Sequence, residues 1–158
     1  MRDRLEKTIK IQFRRAVLLE TAFIHKSYVN EHRAEGKEDN ERLEFLGDAV
    51  LELVVTEFLY KTYPDRGEGV LTNFRSAVVK GKHLAEVARD LKLGDYLLLS
   101  RGEEHSGGRE KNYILANTLE ALIGAIYLDQ GFPHAHEFIM NFILINLDEI
   151  IEKGLHVD

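Results

Sequence analysis

The 158-residue sequence contains no cysteine and only two prolines. The absence of cysteine excludes a disulfide framework and any metal site built from thiolates, and it suits the reducing cytosol. No apolar run reaches the length of about 20 residues that a membrane span needs. The first residues, MRDRLEKTIK, lack the apolar stretch of a secretory signal. We therefore expect a cytoplasmic protein that does not bind membranes.

Basic residues are fewer than acidic residues in this sequence. The 21 lysines and arginines are outnumbered by 27 aspartates and glutamates, which gives a net charge of −6. This balance argues against bulk electrostatic attraction to nucleic acid, although it leaves room for a local basic surface. It also fits a cluster of acids that holds divalent cations. With 44% hydrophobic residues, the chain is long enough for one well-buried domain and too short for two.

Apolar residues recur at helical spacing through almost all of the chain, and no alternating strand pattern of convincing length is present. Three helices are predicted most clearly by their apolar faces and stop signals. They span Asn40 to Pro64, Ile114 to Gly131, and His134 to about Gly154. The charged stretches 31–40 and 101–112 are predicted to be exposed loops. The expected fold class is all-α.

The segment NERLEFLGDAV, residues 40–50, places three acids on a helix that is otherwise largely apolar. Glu41, Glu44 and Asp48 follow at i, i+3 and i+7, within an arc of roughly 60° on one face. Like charges at this spacing destabilise a helix, so we expect a bound cation to compensate for them. The core positions predicted for this helix are Leu43, Phe45, Leu46, Ala49 and Val50.

The helix predicted from ILANTLEALIGAIYLDQG is apolar nearly all the way round and should be buried. Its polar exceptions include Asn117 and Glu120, which share one face. A buried carboxylate without a partner is unfavourable, and its pKa rises until it becomes neutral. Packed together, the two helices would bring these side chains beside Glu44 and Asp48. Ligation by oxygen atoms alone is what Mg²⁺ or Mn²⁺ prefers, so the sequence predicts such a metal site.

Acids on a long helix more often belong to a solvated face, where Arg42 or Lys61 could pair with them. That interpretation stays open for Glu41 and Glu52. A carboxylate-bridged di-iron centre would need Glu-x-x-His on two helices. No histidine in the sequence has a glutamate three residues before it, so this kind of metal site is excluded.

These segments together resemble the ribonuclease III endonuclease domain. The likeness begins with NERLEFLGDAVL and continues in order through HKSY, EGVLTNFRSAVVK, LAEVARDLKLGDYL, SGGR and ILANTLEALIGAIYLD, so it covers nearly the whole chain. It implies an all-helical domain that forms a two-fold homodimer, with a valley that accepts double-stranded RNA. Each subunit would cut one strand. The products would carry 5′-phosphate and 3′-hydroxyl ends with staggered 3′ overhangs, in processing of rRNA or mRNA.

The resemblance also implies roles for individual residues. The implied metal-binding residues are Glu44, Asp48, Asn117 and Glu120, and Asp48 and Glu120 would also be catalytic. Glu41 and Glu68 match accessory acids near the valley. Phe45 matches a dimer contact, with ordinary core packing as the alternative, and Gly47 would let helices approach closely. The expected cofactor is Mg²⁺, with Mn²⁺ able to substitute, and no organic cofactor is expected. Candidate RNA contacts are Arg101, Ser106 and Arg109, for which a solvated loop is the alternative.

Two features depart from the family pattern. The second helix reads ANTLEAL where the family typically carries aspartate, so Asn117 removes one negative charge and should weaken cation affinity. A catalytically weakened relative that binds double-stranded RNA is therefore the alternative function. The sequence stops at EKGLHVD, about where most bacterial members continue into a double-stranded-RNA-binding domain. We therefore expect a single catalytic domain over residues 1–158 without that module, with weak and salt-sensitive RNA affinity.

Overall fold

The computed structural model describes residues 2–156, and in that range the chain forms ten α-helices joined by short turns. The helices are α1 Arg2–Ile9, α2 Ala16–Ala22, α3 Lys26–Glu31, α4 Glu41–Thr62, α5 Glu68–Val79, α6 Gly81–Asp90, α7 Arg101–His105, α8 Asn112–Gln130, α9 Phe132–Phe142 and α10 Leu147–His156. The expected all-α fold class is confirmed. None of the helices in the described range combines the length and apolar character that a membrane span requires.

Helix α8 is the centre of the molecule. Eleven of its residues are buried, including every residue from Ala121 to Ile126, so it is enclosed on nearly all sides as its apolar sequence predicts. Helix α4 packs along it, and α2, α6 and α9 cover its remaining faces. The two helices that carry the candidate metal ligands are therefore packed against each other in the core.

The ends of α4 and α8 follow from local sequence. The Asp39 carboxylate accepts a hydrogen bond from the Glu41 N–H at 3.0 Å, which satisfies one free donor of the first turn of α4. The helix ends at Thr62, two residues before Pro64, which cannot continue it. Helix α8 ends at Gln130, and the next residue, Gly131, has a φ of 90° that glycine adopts at little energetic penalty.

The single helix predicted from His134 to about Gly154 is wrong, because the chain forms α9 and α10 with a break at 143–146. Asn146 adopts a left-handed φ of 61°, a conformation that asparagine tolerates better than most residues. The break lets α10 pack back on α5, and the Tyr63 hydroxyl donates to the Asp148 carboxylate at 3.0 Å. Apolar periodicity continues across the break, which is why the sequence pattern misses it.

The stretch 101–112 is also not the plain loop that its charges predict. Ser100 caps the short helix α7, since its Oγ accepts from the Glu103 N–H at 3.0 Å. A short 3₁₀ turn follows at Gly108–Glu110. The preceding strand-like residue Leu98 bridges to Ile24 in parallel register, which ties this region to the segment after α2.

Candidate metal centre

Two glycines let α4 and α8 meet main chain to main chain. A methyl group at Gly47 would overlap the carbonyl oxygen of Glu120, and one at Gly124 would overlap the carbonyl oxygen of Leu43. Any larger residue at either position would push the helices apart. The close approach predicted for Gly47 is therefore present, and it fixes the acids of α4 directly beside Glu120.

The four predicted ligands lie on these two helices. Glu44, Asn117 and Glu120 are half-buried, whereas Asp48 is exposed. The carboxyl groups of Asp48 and Glu120 are hydrogen-bonded to each other, and the charge of Glu44 reaches Glu120. Asn117 stands one helical turn before Glu120 on the same face of α8, and its amide makes no hydrogen bond to another described residue.

The arrangement raises the pKa of two of these acids. Burial, the hydrogen bond with Asp48, and the negative charges of Asp48, Glu44 and Glu52 together raise the pKa of Glu120 to about 8. Burial and the charges of Glu41 and Asp48 also raise the pKa of Glu44. At neutral pH, Glu120 is therefore mostly protonated in the absence of a cation, as expected for crowded carboxyl groups.

The nearby basic residues do not neutralise this cluster. Arg42 pairs with Glu38 at 3.3 Å, and Lys61 pairs with Glu57 at 3.7 Å, so both are engaged away from the three acids. The solvated-face interpretation proposed salt bridges between these cations and the acids. Within residues 2–156, neither cation forms a salt bridge with these acids; the charge of Lys26 acts on Glu44, but burial and the neighbouring acids outweigh it and the pKa of Glu44 is raised.

The donor atoms suit a hard divalent cation, but the side chains are not arranged as a closed ligand shell. Among residues 2–156, no group of three or more histidine, cysteine, aspartate or glutamate side chains has a geometry ready to hold a metal. Instead, burial, the Asp48 carboxyl and the charge of Glu44 raise the pKa of Glu120. The carboxylates with the Asn117 amide oxygen form a donor set that fits Mg²⁺ or Mn²⁺.

The remaining predicted residues lie apart from this pair. Glu41 and Glu68 are exposed at the first positions of α4 and α5. Glu68 lines a cleft of about 500 Å³ whose lining does not include Glu44, Asp48 or Glu120.

Phe45 is not a core residue, because 82% of its surface is exposed. Ala49 is exposed as well, so these two predicted core positions are wrong. Leu53 and Tyr60 on the same helix are also exposed, at 58% and 72%. The three large side chains and Ala49 follow one another on one face of α4 and form an apolar stripe beside the acids.

Two of the predicted RNA contacts have internal roles. The Arg109 guanidinium donates to the carbonyl oxygens of Gly94 and Leu97, both at 2.8 Å, and pairs with Glu104. The Ser106 hydroxyl donates to the Glu103 carbonyl at 3.1 Å. Arg101 is exposed, and its guanidinium takes part in none of these bonds.

Sequence reasoning missed two residues that shape the site. Gly124 is the reciprocal partner of Gly47, and its signal was its place four residues after Glu120 in an otherwise bulky helix. Asn40 is buried, and its amide Nδ2 donates to the Ala22 carbonyl at 3.0 Å instead of capping α4. No local pattern identifies that bond, because Ala22 is distant in sequence.

Comparison with known proteins identifies relatives of this chain. A family model described as Ribonuclease-III-like matches residues 15–147. The chain is 50% identical over 163 residues to Ribonuclease 3 of Chloroflexus aurantiacus, covering 100% of this chain and 65% of that protein. It is 47% identical over 146 residues to Ribonuclease 3 of Bacillus licheniformis, covering 92% of this chain and 59% of that protein.

A solved structure, the nuclease domain of Ribonuclease III from Campylobacter jejuni, superposes with a TM-score of 0.84 at 43% identity. The match covers 91% of this chain and 96% of that domain. That structure is described as showing flexibility in a region involved in dimer formation. The chain spans less than two thirds of the length of the curated relatives. On the combined strength of the acid-bearing helix pair, the family model and these relatives, the chain belongs to the ribonuclease-III-like family.

Proposed function

We propose that this chain is the catalytic domain of an endoribonuclease that hydrolyses phosphodiester bonds in double-stranded RNA with a divalent cation. The proposed products carry 5′-phosphate and 3′-hydroxyl ends with staggered 3′ overhangs, and the proposed role is RNA processing in the cytoplasm. The observation that carries the proposal is the Asp48–Glu120 carboxyl pair, which the Gly47–Glu120 contact holds in place. Family membership supports the same assignment.

The proposed cofactor is Mg²⁺, which Mn²⁺ could replace. Glu44, Asp48, Glu120 and the amide oxygen of Asn117 would hold it. When bound, the cation would supply an activated water and stabilise charge on the phosphoryl oxygens and the leaving 3′-oxygen. The chain's own residues prepare the site: the glycine contact between α4 and α8 sets the spacing of the carboxyls. Glu120, whose raised pKa keeps it mostly protonated at neutral pH, would release its proton in order to hold the cation.

The proposed assembly is a homodimer, and the apolar stripe of α4 supports it. Phe45, Leu53 and Tyr60 expose large apolar surfaces on one face, which is typical of an interaction surface. Because the stripe and the acids share one helix, a dimer formed through it would hold two sites in a fixed relation. Each site would then face one strand of an RNA duplex, which is recognised mainly by shape. A charge introduced by Phe45→Glu should shift the dimer toward monomer in sedimentation velocity.

Cleavage of a long end-labelled RNA duplex at low salt tests the activity. We expect staggered products with Mg²⁺ and none with a chelator. Glu44→Gln should abolish these products. Glu57→Gln is the matched control, because it changes a glutamate on the same helix that already pairs with Lys61. Cleavage that persists in chelator, or that Glu44→Gln leaves unchanged, would refute the metal-dependent mechanism.

A further inference from the structure

Asn40 occupies an unusual position for a polar side chain. It is only 5% exposed, and it directly precedes the acids of α4. The side chain of an N-cap asparagine ordinarily accepts a hydrogen bond from the first turn of its helix. Here Asp39 makes such a bond to Glu41, and Asn40 makes none. The buried side-chain amide of Asn40 therefore forms its hydrogen bond outside α4.

The Asn40 amide joins α4 to the end of α2. Its Nδ2 donates at 3.0 Å to the carbonyl oxygen of Ala22, the last residue of α2. Carbonyl groups at helix ends lack partners within the helix, so this bond satisfies a buried acceptor. The Asn40 N–H donates to the Ile24 carbonyl at 2.9 Å, and the Asn40 carbonyl accepts from the Glu44 N–H at 2.9 Å. One residue thus binds α2 on one side and begins α4 on the other.

The same connection continues to the region before α7. Leu98 exchanges main-chain hydrogen bonds with the segment after α2, since its N–H donates to Phe23 at 2.8 Å and its carbonyl accepts from His25 at 3.1 Å. The Ser100 N–H donates to the Ser27 hydroxyl at 2.9 Å. The start of α4 is consequently tied by hydrogen bonds to the main chain at the end of α2 and to the segment before α7.

We propose that Asn40 is a positioning residue for the metal centre, holding α4 at the rotation that sets Glu44 and Asp48 against Glu120. The inference rests on the proposed function. A rigid helix needs two fixed points to define its position. The Gly47–Glu120 contact supplies one point, and the hydrogen bonds of Asn40 supply the other, seven residues earlier. Glu44 lies between Asn40 and Gly47, and Asp48 directly follows Gly47.

The test uses Asn40→Asp, which keeps the shape of the side chain but replaces the donor with a carboxylate. Gln130→Glu is the matched control. At the far end of α8, Gln130 donates from its amide Nε2 to the Gln12 carbonyl at 2.8 Å and to the Asp129 carboxylate at 2.9 Å, so its replacement also exchanges a donor for a carboxylate. The readout is the apparent Mg²⁺ affinity, obtained from the rise of the unfolding temperature with Mg²⁺ concentration. Cleavage of an RNA duplex is measured in parallel.

We expect Asn40→Asp to weaken Mg²⁺ binding by about 10–100-fold, as losses of partners that orient metal ligands do. Gln130→Glu should change it by less than about twofold, as is usual for substitutions remote from a site. The added charge of Asn40→Asp would by itself strengthen cation binding, so the sign of the change identifies the lost hydrogen bond. Affinity equal to or tighter than that of the wild type would overturn the positioning role.

Asn40→Ala removes the amide without adding charge, and it provides the same comparison if Asn40→Asp does not fold. Wild-type affinity in Asn40→Ala would likewise overturn the inference. If the wild type neither binds Mg²⁺ nor cuts RNA, the proposed function fails and the inference falls with it. If the wild type does both and the Asn40 variants match it, only the positioning role is refuted.

Discussion

Two acids on α8 have opposite pKa shifts although both are withdrawn from solvent. The side chain of Asp129 is fully buried. It accepts hydrogen bonds from the N–H groups of Arg14 and Arg15 at 2.9 and 2.8 Å, and from the Gln130 amide at 2.9 Å. Burial alone would raise the pKa of Asp129, but these donors outweigh it and the pKa is lowered. Asp129 is thus a charged residue whose role is structural.

Glu120, nine residues earlier, has a carboxyl partner in place of donors. Within residues 2–156 its one hydrogen-bonded partner is Asp48, and burial together with the surrounding acids raises its pKa to about 8. The difference shows that burial does not decide the charge state of an acid in this protein. The neighbouring groups decide it, because hydrogen-bond donors surround Asp129 whereas other acids surround Glu120.

The largest expected effect is loss of activity on changing Glu120 to Gln. The amide keeps the shape of the side chain but cannot supply a carboxylate to the cation. We expect duplex cleavage to fall by more than about 100-fold, since even partners outside the ligand shell contribute about 10–100-fold. Far-UV circular dichroism should remain that of the wild type. Equal cleavage by Glu120→Gln would show that this acid is not a ligand.

The reverse pattern is expected for Asp129→Ala. Its loss leaves two main-chain N–H groups without an acceptor. The free energy of unfolding should fall by about 1.5–3 kcal/mol, the range of a hydrogen bond to a charged acceptor. Urea denaturation measures this change, while cleavage per folded molecule should stay close to that of the wild type. A strong loss of activity in the folded Asp129→Ala variant would contradict the assignment of a purely structural role to Asp129.

Asn117→Asp should sharpen the contrast by adding a negative charge one turn from Glu120. We expect Mg²⁺ to bind about tenfold more tightly, which corresponds to about 1.4 kcal/mol. In the cation-free protein the extra repulsion should lower stability. A Mg²⁺ titration of the unfolding temperature measures both effects. Unchanged affinity would indicate that the residue at 117 does not face the cation.

The smallest expected effect is a pH dependence of stability. The pKa of Glu120 is about 8 in the folded protein against its usual 4.5, so the folded state holds the proton more tightly. The resulting stabilisation is fully present below about pH 4.5 and is lost as the pH rises through about 8. Relative to Glu120→Gln, the cation-free wild type should therefore lose stability across this window.

At pH 8, thermal unfolding without cation should occur roughly 2–4 °C higher in Glu120→Gln, the shift that about 1 kcal/mol gives in a domain of this size. Added Mg²⁺ should reverse the order, because only the wild type retains the full carboxylate set. Parallel unfolding curves for the two proteins at every pH would contradict the raised pKa.

The sequence was sufficient to predict the all-α fold and the two central helices, since long apolar periods and stop signals are local. It also identified Glu120 as an acid in an apolar helix. The sequence-based prediction failed where a single residue interrupts a helix although the apolar spacing continues, as Asn146 does between α9 and α10. Phe45 was placed in the core because periodicity marks apolar residues without saying whether another chain covers them.

The groups that surround each acid could not be predicted from the sequence alone. Asp129 and Glu120 both follow apolar residues in one helix, and nothing local separates them. Apart from the adjacent Gln130 amide, the groups that separate them lie more than 60 residues away, Arg14 and Arg15 in one case and Asp48 in the other. The Asn40–Ala22 bond was missed for the same reason, because it depends on how two distant helices meet.

The reciprocal contact of Gly47 and Gly124 has a consequence for how this domain tolerates change. Each glycine faces main chain rather than a side chain, so no substitution elsewhere can make room for a bulkier residue there. Most core positions accept compensating changes in their neighbours. These two cannot, and we expect random mutagenesis with selection for activity to return glycine at both. The other core residues can change during evolution, while the distance between α4 and α8 at their crossing stays the same.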